Sequence, residues 1–367
     1  MHPNWREQPP GQVAAAVTHP SAMPPGAGPP PPATMEPPPR GDGHVPRGVL
    51  AVGSFPSAPG DARACLQAMT APRCVSVVSH HQEQRGRPAM EDKAFGIELE
   101  PQFGVDAGMF GVVDGHGGAD VAHFVRDHLP TAFMAAAAQG RAMPFCSQAA
   151  DAGLPVGNRM ALFSAVLQLE HKLQAAATDE LRAKAWAQGA VAAVVLVTGA
   201  AHTATRCLYV ANVGDVEVVL ATRTAAGGFA ARVLSVKHTA ADPGEASAIR
   251  GRGGFVVSDA HGTPRAQGCL MPSRTLGDLC VKPYVSAVPH VAAVDLTPAD
   301  AFVIVASDGV WDHLTHEGAV RAVAAACERG PAGARRDAAR HLLAAARASG
   351  GGQRAPEDNA TAVVLFF

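Results

Sequence analysis

The sequence MFGVVDGHGG, at residues 109–118, carries an apolar run directly into an acidic, glycine-rich segment. The run is strand-sized and rich in valine, so it predicts a β-strand that ends at Asp114. A strand that ends at a carboxylate delivers that carboxylate to one edge of its sheet. Acids flank other apolar runs at residues 91–92, 212–215, 308–312 and 357–359. Carboxylates gathered at one edge repel one another unless a hard divalent cation lies between them, so the pattern predicts a site for Mg²⁺ or Mn²⁺.

The composition limits the classes of function. The chain has 367 residues, of which 47% are hydrophobic and 17% are charged, enough to bury one substantial core. A formal net charge of −2, without a basic run, argues against nucleic acid or an anionic membrane surface as a partner. The longest apolar runs, such as residues 191–197, are too short to span a bilayer, so no membrane association is expected. Seven scattered cysteines without a C-x-x-C pair favour reduced thiols over a disulfide scaffold or a zinc site.

Residues 1–48 differ in composition from the rest of the chain. They hold about half of the 30 prolines and few large apolar side chains. Such a segment cannot offset the entropy cost of ordering, so we predict a disordered proline-rich tail. A proline motif that binds a partner domain is the alternative to a solvated tail. The segment lacks the features of a secretory signal or a transit peptide, so we expect a cytoplasmic or nuclear protein, with a plastid location left open. Residues 49–367 are predicted to form one domain that acts as a monomer.

Short valine-rich runs and stretches of helical periodicity occupy the chain from about residue 49 onward. Strands are predicted at residues 75–79, 109–113, 190–197, 207–213, 217–222, 302–306 and 361–367. Helices are predicted near residues 121–133, 162–173, 316–328 and 333–348. Because strands and helix pairs are grouped rather than in strict alternation, the pattern predicts an α+β sandwich of stacked sheets with helices outside. Gly214-Asp215 predicts a hairpin turn between two of these strands.

The candidate ligands suit a two-metal hydrolytic site. Two divalent ions about 3.5–4 Å apart, bridged by a carboxylate, activate water for in-line attack on phosphorus. Asp114 is the best bridge, because the glycines that follow it let ions approach closely. Asp308 and Asp358 are candidates for the outer ligands. Glu91 and Asp92 point to opposite faces of an extended segment, so at most one reaches an ion directly and the other acts through water.

Two further side chains suit phosphoryl chemistry. Arg87 can present a planar guanidinium fork to phosphate oxygens. His116, two residues beyond the proposed bridge, is placed to protonate a departing alkoxide. Each acidic motif alone has a simpler explanation as a turn, a helix cap or a solvated charge pair, and His116 alone is more often an ordinary histidine. The occurrence of all the motifs in one order is what favours a catalytic site.

These motifs resemble those of the type 2C protein phosphatase family, the metal-dependent serine/threonine phosphatases, over about residues 50–367. The matching motifs are R-x-x-M-E-D at 87–92, D-G-H-G-G at 114–118, L-Y-V-A-N-V-G-D at 208–215, S-R-T-L-G-D at 273–278, A-S-D-G-V-W-D at 306–312 and D-N at 358–359. The resemblance implies a four-layer α-β-β-α sandwich, in which two antiparallel sheets are flanked by helix pairs. Residues 282–285 are similar to plant and algal members.

The resemblance also implies a role for each candidate residue. Two core ions would be held by Asp114 as the bridge, the Gly115 carbonyl, Asp308 and Asp358, with Glu91 and Asp92 acting mainly through water. A weaker third ion would be held by Asp215 and Asp312 together with Asp308. Arg87 would bind phosphate and His116 would be the general acid. The implied activity is hydrolysis of phosphoserine and phosphothreonine in signalling phosphoproteins, by attack of metal-bound hydroxide without a covalent enzyme intermediate.

The chain departs from the family pattern near the site. Lys237 replaces an Asp that usually precedes His238, and Val216-Glu217 replaces a Ser-Arg pair. Residues 189–192, including Ala190, lack the usual hydroxyls, and Met271-Pro272 stands where Ala-Val is common. None of these changes removes a predicted metal ligand, so activity is expected to survive, while turnover and substrate preference stay open.

Two other functions remain open at the level of sequence. A pseudophosphatase would keep the fold and capture phosphoproteins, or bind a partner through the tail, without turnover. A phosphatase for a small phosphorylated metabolite would share the site. The complete set of acids favours the protein phosphatase, and the sequence does not identify its substrate protein.

Overall fold

The computed structural model describes residues 75–81, 89–99, 107–142, 156–175, 179–199, 206–329, 334–349 and 358–367. All of these residues belong to one compact unit, Pro46–Phe367. The predicted tail at residues 1–48 and the candidate phosphate ligand Arg87 lie outside the described residues, so both stay predictions.

Strands and helices follow one another in groups. The strands are β1 (Val75–His81), β2 (Lys93–Glu98), β3 (Gly108–His116), β4 (Gly189–Gly199), β5 (Arg206–Val213), β6 (Glu217–Arg223), β7 (Phe229–Val233), β8 (Val256–Ser258), β9 (Pro264–Ala266), β10 (Leu276–Gly277), β11 (His290–Leu296), β12 (Asp300–Ala306) and β13 (Ala360–Phe366). The helices are α1 (Asp120–Ala142), α2 (Val156–Gln174), α3 (Asp179–Ala187), α4 (Pro243–Gly251), α5 (Asp308–Trp311), α6 (His316–Arg329) and α7 (Ala338–Ser349).

Two antiparallel sheets form the centre of the fold. The first sheet has the strand order β1-β13-β12-β6-β7. The second has the order β11-β5-β4-β3-β2, with β10 paired to β4. The strands β8 and β9 form a separate hairpin. The neighbours β12 and β13 are antiparallel, so the end of β12 lies beside the start of β13. The neighbours β2 and β3 are also antiparallel, so the start of β2 lies beside the end of β3.

Three apolar clusters hold the layers together. One lies between the two sheets and includes Val195 and Val363. A second includes Phe133 and packs α1 and α2 on the outer face of the second sheet, and a third includes Leu342 and packs α6 and α7 on the first sheet. Full burial of such a side chain contributes about 1.5–3 kcal/mol. The arrangement confirms the α+β sandwich that the sequence pattern predicted and the four-layer α-β-β-α order that the family resemblance implied.

The central strand β4 shows why the sequence pattern works. It is buried along nearly its whole length, because one face meets the first sheet and the other face meets the helices. A strand covered on both faces needs apolar residues at consecutive positions rather than at alternate ones. The uninterrupted run at residues 190–197 satisfies that requirement.

Most of the predicted elements are confirmed, and one predicted turn is wrong. Each predicted strand and helix lies on an observed element. The elements that were not predicted are β2, β7, β8, β9, β10, β11, α3, α4 and α5. Gly214-Asp215 does not close a hairpin, because β5 lies in the second sheet and β6 in the first. Gly214 does have a positive φ of 85°. A glycine in this conformation redirects the chain whether or not the flanking strands pair.

Two smaller expectations concern membranes and cysteines. None of the helices in the described part of the chain has the length and hydropathy needed to cross a bilayer. Within the described ranges, the cysteines at positions 207, 269 and 280 carry free thiols.

Candidate active site

The predicted acids gather where both sheets end on the same side. On the second sheet, Asp92 immediately precedes β2 and Asp114 lies near the end of β3, and these two strand ends are paired. On the first sheet, Asp308 follows β12 and Asp358 precedes β13, which are paired in the same way. Asp215 lies in the segment that crosses from one sheet to the other. Their mutual electrostatic effects on pKa, given below, show that the five acids share one region.

A buried hydroxyl connects the acids of one sheet to those of the other. Ser307 is fully buried, and its Oγ donates a hydrogen bond of 3.0 Å to Oδ2 of Asp92. The same Oγ accepts a hydrogen bond of 3.0 Å from the backbone N–H of Thr361 in β13. Ser307 therefore fixes Asp92 of the second sheet against two strands of the first. In the sequence analysis Ser307 had no role beyond its membership of the A-S-D-G motif.

Burial and like charge raise the pKa values of the two central acids. Burial raises the pKa of Asp114 well above its usual value, and the charges of Asp92 and Asp308 raise it further. Burial likewise raises the pKa of Asp308, with added effects from Asp215 and Asp358. Each acid therefore resists ionisation chiefly because it lies among the others away from water. A divalent cation at this place would reverse the balance and favour the ionised forms.

The flanking acids show the same effect to a smaller degree. Burial raises the pKa of Asp92 to about 6, although side chains that include Ser307 favour its charged form. Burial raises the pKa of Asp215 to about 6, against the opposing charge of Lys237. An ordinary aspartate titrates near 3.8, so both carboxyls are poised to ionise when a positive charge arrives.

Unpaired oxygens show that these residues fit hard cations. Three buried carboxylate oxygens have no hydrogen-bond partner in the described part of the chain: Oδ1 of Asp92, Oδ2 of Asp215 and Oδ1 of Asp308. Leaving a buried oxygen unsatisfied costs about 1–3 kcal/mol, and more for a charged group. Carboxylate oxygens are the ligands that Mg²⁺ and Mn²⁺ prefer. Among the described residues, no group of three or more Asp, Glu, His or Cys side chains is arranged closely enough to hold one metal ion. The assignment of ligands to individual ions therefore stays a prediction.

The remaining predicted ligands lie around this acidic cluster. The backbone at Gly115 is close to the chain at Glu91, because an added Cβ would lie 2.8 Å from the Glu91 carbonyl oxygen. Glu91 is half-buried, and its charge raises the pKa of His116. Asp312 is exposed, caps α5 by donating its N–H to the Asp308 carbonyl at 2.8 Å, and raises the pKa of Asp308 by its charge. Asp358 accepts a hydrogen bond of 2.7 Å from the N–H of Asn359.

His116, the predicted general acid, is paired with a carboxylate that the sequence did not single out. Its Nε2 lies 3.0 and 2.9 Å from the two carboxylate oxygens of Asp278. Burial lowers the pKa of His116, but the hydrogen bond and charge of Asp278 outweigh that effect and hold the pKa above its usual value. The two residues are 162 positions apart. The only sequence signal for Asp278 was its place at the end of the S-R-T-L-G-D motif.

Two departures from the family pattern prove to be neighbours. Lys237 Nζ lies 3.8 Å from Oε1 of Glu217, and Oε2 of Glu217 lies 3.0 Å from Nε2 of His316. A Lys-Glu pair therefore occupies the two positions at which the sequence pattern led us to expect Asp and Arg. The positive charge therefore stands at position 237 and the negative charge at position 217, the reverse of the family pattern. The two opposite charges are still in contact. Its new feature is a cation, Lys237, that acts on Asp215.

The comparison with known proteins agrees with this geometry. The family model for protein phosphatase 2C matches residues 76–354, which include every described acid of the site except Asp358. The chain belongs to the protein phosphatase 2C family. As a phosphatase 2C homologue it is 34% identical, over 241 residues, to the probable protein phosphatase 2C 74 of Oryza sativa subsp. japonica, covering 65% of this chain and 55% of the relative. It is 32% identical, over 243 residues, to protein phosphatase 2C 56 of Arabidopsis thaliana, covering 63% of this chain and 50% of the relative.

Solved structures of similar fold support the phosphatase 2C architecture. A serine-threonine phosphatase 2C from Toxoplasma gondii superposes with a TM-score of 0.68 at 22% identity, covering 82% of this chain and 96% of that chain. A sex-determining protein of C. elegans superposes with a TM-score of 0.64 at 20% identity, covering 80% of this chain and 65% of that chain. At these identities the likeness concerns the fold alone. The chain spans about half the length of the curated phosphatase 2C relatives reported above.

Proposed function

We propose that this chain is a metal-dependent protein serine/threonine phosphatase. The observation that carries the proposal is the meeting of carboxylates from both sheets, with buried oxygens that have no partner within the described residues. Family membership supports the same activity. Bound Mg²⁺ or Mn²⁺ would lower the pKa of water and neutralise charge on the phosphoryl group, with two core ions and a weaker third.

Residues of the chain would bind the metal ions, bind the phosphate and donate a proton to the leaving group. Asp114, the Gly115 carbonyl, Asp308 and Asp358 would hold the two core ions, with Asp114 as a ligand of both, and Glu91 and Asp92 would act mainly through water. Asp215 and Asp312, together with Asp308, would hold the weaker third ion. Arg87 binds the phosphate oxygens. His116 gives a proton to the serine or threonine oxygen as the phosphorus–oxygen bond breaks, so hydrolysis proceeds in one displacement without a covalent enzyme intermediate.

The substrates in this proposal are phosphoproteins, recognised mainly through the phosphoryl group. The proposal also includes a monomeric enzyme, a cytoplasmic or nuclear location and a proline-motif partner for the tail. A pseudophosphatase and a metabolite phosphatase are the competing outcomes of the test below.

The test is hydrolysis of a phosphothreonine peptide by the purified chain, with and without Mn²⁺. Asp308→Ala is compared with Asp127→Ala, which removes an exposed acid on α1 that pairs with Arg126. We expect Mn²⁺-dependent release of phosphate by the parent chain and by Asp127→Ala, and a loss of at least about 10²-fold in Asp308→Ala.

Each alternative outcome decides a different question. No metal-dependent release by the parent chain would support the pseudophosphatase instead. Full activity in Asp308→Ala would remove that residue from the ligand set. Faster hydrolysis of a phosphosugar than of the phosphopeptide would move the proposal to a metabolite phosphatase.

A further inference from the structure

The contact between His116 and Asp278 has the form of an oriented catalytic pair. Asp278 is 3% exposed, and both of its carboxylate oxygens lie within hydrogen-bond distance of the same imidazole nitrogen, Nε2. His116 ends β3 two residues beyond Asp114, at the acidic cluster. A buried carboxylate on one nitrogen of a histidine fixes the orientation and the tautomer of the ring, and it stabilises the charged imidazolium.

The backbone around Asp278 is built to hold that position. Asp278 adopts the left-handed conformation, with φ of 50° and ψ of 45°, which costs free energy in a residue other than glycine. Its N–H donates to the Gln188 carbonyl at 2.9 Å. The preceding N–H, of Gly277, donates to Oε2 of the buried Glu170 at 3.0 Å. Two hydrogen bonds therefore fix the turn that carries the carboxylate.

A glycine on β4 leaves the space in which the pair forms. Gly189 is paired with His116 across the sheet and with Gly277 on its other side. A Cβ at position 189 would collide with the Asp278 carboxylate and lie close to Nε2 of His116. Any residue other than glycine at this position must therefore displace one member of the pair.

We propose that Asp278 is the positioning residue of the general acid. It accepts the Nε2–H of His116 and leaves Nδ1–H as the proton that is given to the leaving oxygen. Water attacks phosphorus, the phosphorus–Oγ bond of phosphothreonine breaks, and the Nδ1 proton of His116 completes the threonine hydroxyl. The imidazole then regains a proton from solvent. This inference rests on the proposed function, since it specifies how His116 acts within it.

The distinguishing test uses two leaving groups. Threonine alkoxide needs a proton as it departs, whereas dinitrophenolate departs as a stable anion. Asp278→Asn keeps the shape of the side chain and removes its charge. We expect kcat for a phosphothreonine peptide to fall by about 10–100-fold, with kcat for 2,4-dinitrophenyl phosphate and both KM values little changed. An equal fall for both substrates indicates a merely structural role and overturns the proposal, as does no fall for either.

Two further variants separate positioning from folding. Gly189→Ala disturbs the pair without removing either member, and it is expected to reproduce the same selective loss. Gly251→Ala is its control, because a Cβ at position 251 meets nothing within 4 Å. His116→Gln should show the same selective loss as Asp278→Asn, with slower hydrolysis of the phosphothreonine peptide and little change for 2,4-dinitrophenyl phosphate. Combining the two changes should add little further loss. Independent, multiplying losses in the double variant would contradict a shared role.

A measurement that needs no turnover keeps the inference separate from the proposed function. Nitrogen-15 NMR of labelled histidines, in the Mg²⁺-loaded chain and with His116→Gln for assignment, reports the tautomer of the neutral imidazole. We expect hydrogen on Nε2. Hydrogen on Nδ1 instead would overturn the inference. If the parent chain hydrolyses neither ester, the proposed function fails, and the tautomer still decides the pairing.

Discussion

Ser307 and Asp92, 215 positions apart, form a buried hydrogen bond of 3.0 Å that joins the two sheets at the acidic edge. The hydroxyl also accepts the Thr361 N–H, so one oxygen serves two strands and one carboxylate. The site is therefore part of the contact between the two sheets. A substitution that weakens this contact should also alter the geometry of the acidic cluster.

Removal of this hydroxyl should weaken both stability and metal binding. Ser307→Ala leaves the Thr361 N–H and Asp92 Oδ2 without their shared partner, which costs about 1–3 kcal/mol in free energy of unfolding. Chemical denaturation measures the loss, and calorimetric titration with Mn²⁺ should show weaker binding. Ser258→Ala, an exposed serine on β8, is the control and should change neither. An unchanged midpoint for Ser307→Ala would mean that the contact contributes nothing.

Stability of the metal-free chain should fall as pH rises. The folded pKa values of Asp92 and Asp215 are raised from 3.8 to about 6, so the folded state binds more protons than the unfolded state between these values. The stabilisation is fully present below about pH 4 and is lost as pH rises through about 6. Thermal unfolding in chelator should show this slope, and Mn²⁺ should raise Tm more at pH 7 than at pH 5.

The variant Asp215→Asn isolates one of these groups. It cannot ionise, so the chelated protein should lose less stability between pH 4 and pH 7 than the parent chain. Asp127→Asn, at an exposed position, should keep the parent slope. A parent chain that becomes more stable over this interval would contradict the raised pKa values.

Lys237 should oppose binding of a cation near Asp215. Its charge favours the ionised Asp215 and competes with a metal for the same carboxylate. Lys237→Met keeps the aliphatic stem, and it should strengthen the weakest Mn²⁺ site by about 2- to 5-fold at low salt, since the lysine is 38% exposed and partly screened. Lys172→Met, at an exposed position on α2, is the matched control. Weaker Mn²⁺ binding in Lys237→Met would reverse the assignment.

Gly309 should tolerate no side chain. A Cβ there would collide with the carbonyl of Asn359, so backbone beside Asp308 or Asp358 must move. Gly309→Ala should lower the free energy of unfolding by about 1–3 kcal/mol and weaken Mn²⁺ binding. Gly157→Ala, where nothing lies within 4 Å, should instead leave stability unchanged or raise it by about 0.5–1 kcal/mol. Equal stability of the two variants would show that the close approach is unimportant.

The sequence predicted what depends on local pattern. The runs that form β4 and β5 are largely apolar on both faces, so both strands could be predicted from the sequence. The edge strand β7 and the half-buried β11 carry mixed residues, and their formation depends on pairing with neighbours. Gly214 indicated that the chain changes direction after β5. The local conformation of this glycine is the same for a hairpin and for a crossing between sheets, so the sequence could not distinguish the two.

The acidic residues of the site could be predicted from the sequence, but the contacts between them and other residues could not. Asp114 and Asp308 were found because each comes directly at or after the end of an apolar run. The pairing of His116 with Asp278, of Ser307 with Asp92 and of Lys237 with Glu217 depends on how distant segments meet. Such contacts leave no periodicity in a single sequence.

In the proposed function, carboxylates of both sheets would hold a pair of divalent ions, and Asp114 would be a ligand of both. Equilibrium dialysis of the chelator-treated chain against Mn²⁺ counts the ions directly. We expect at least two ions for each parent chain and loss of both core ions in Asp114→Asn, because a bridging ligand binds both. The same number of ions, bound with the same affinity, in Asp114→Asn and in the parent chain would contradict it.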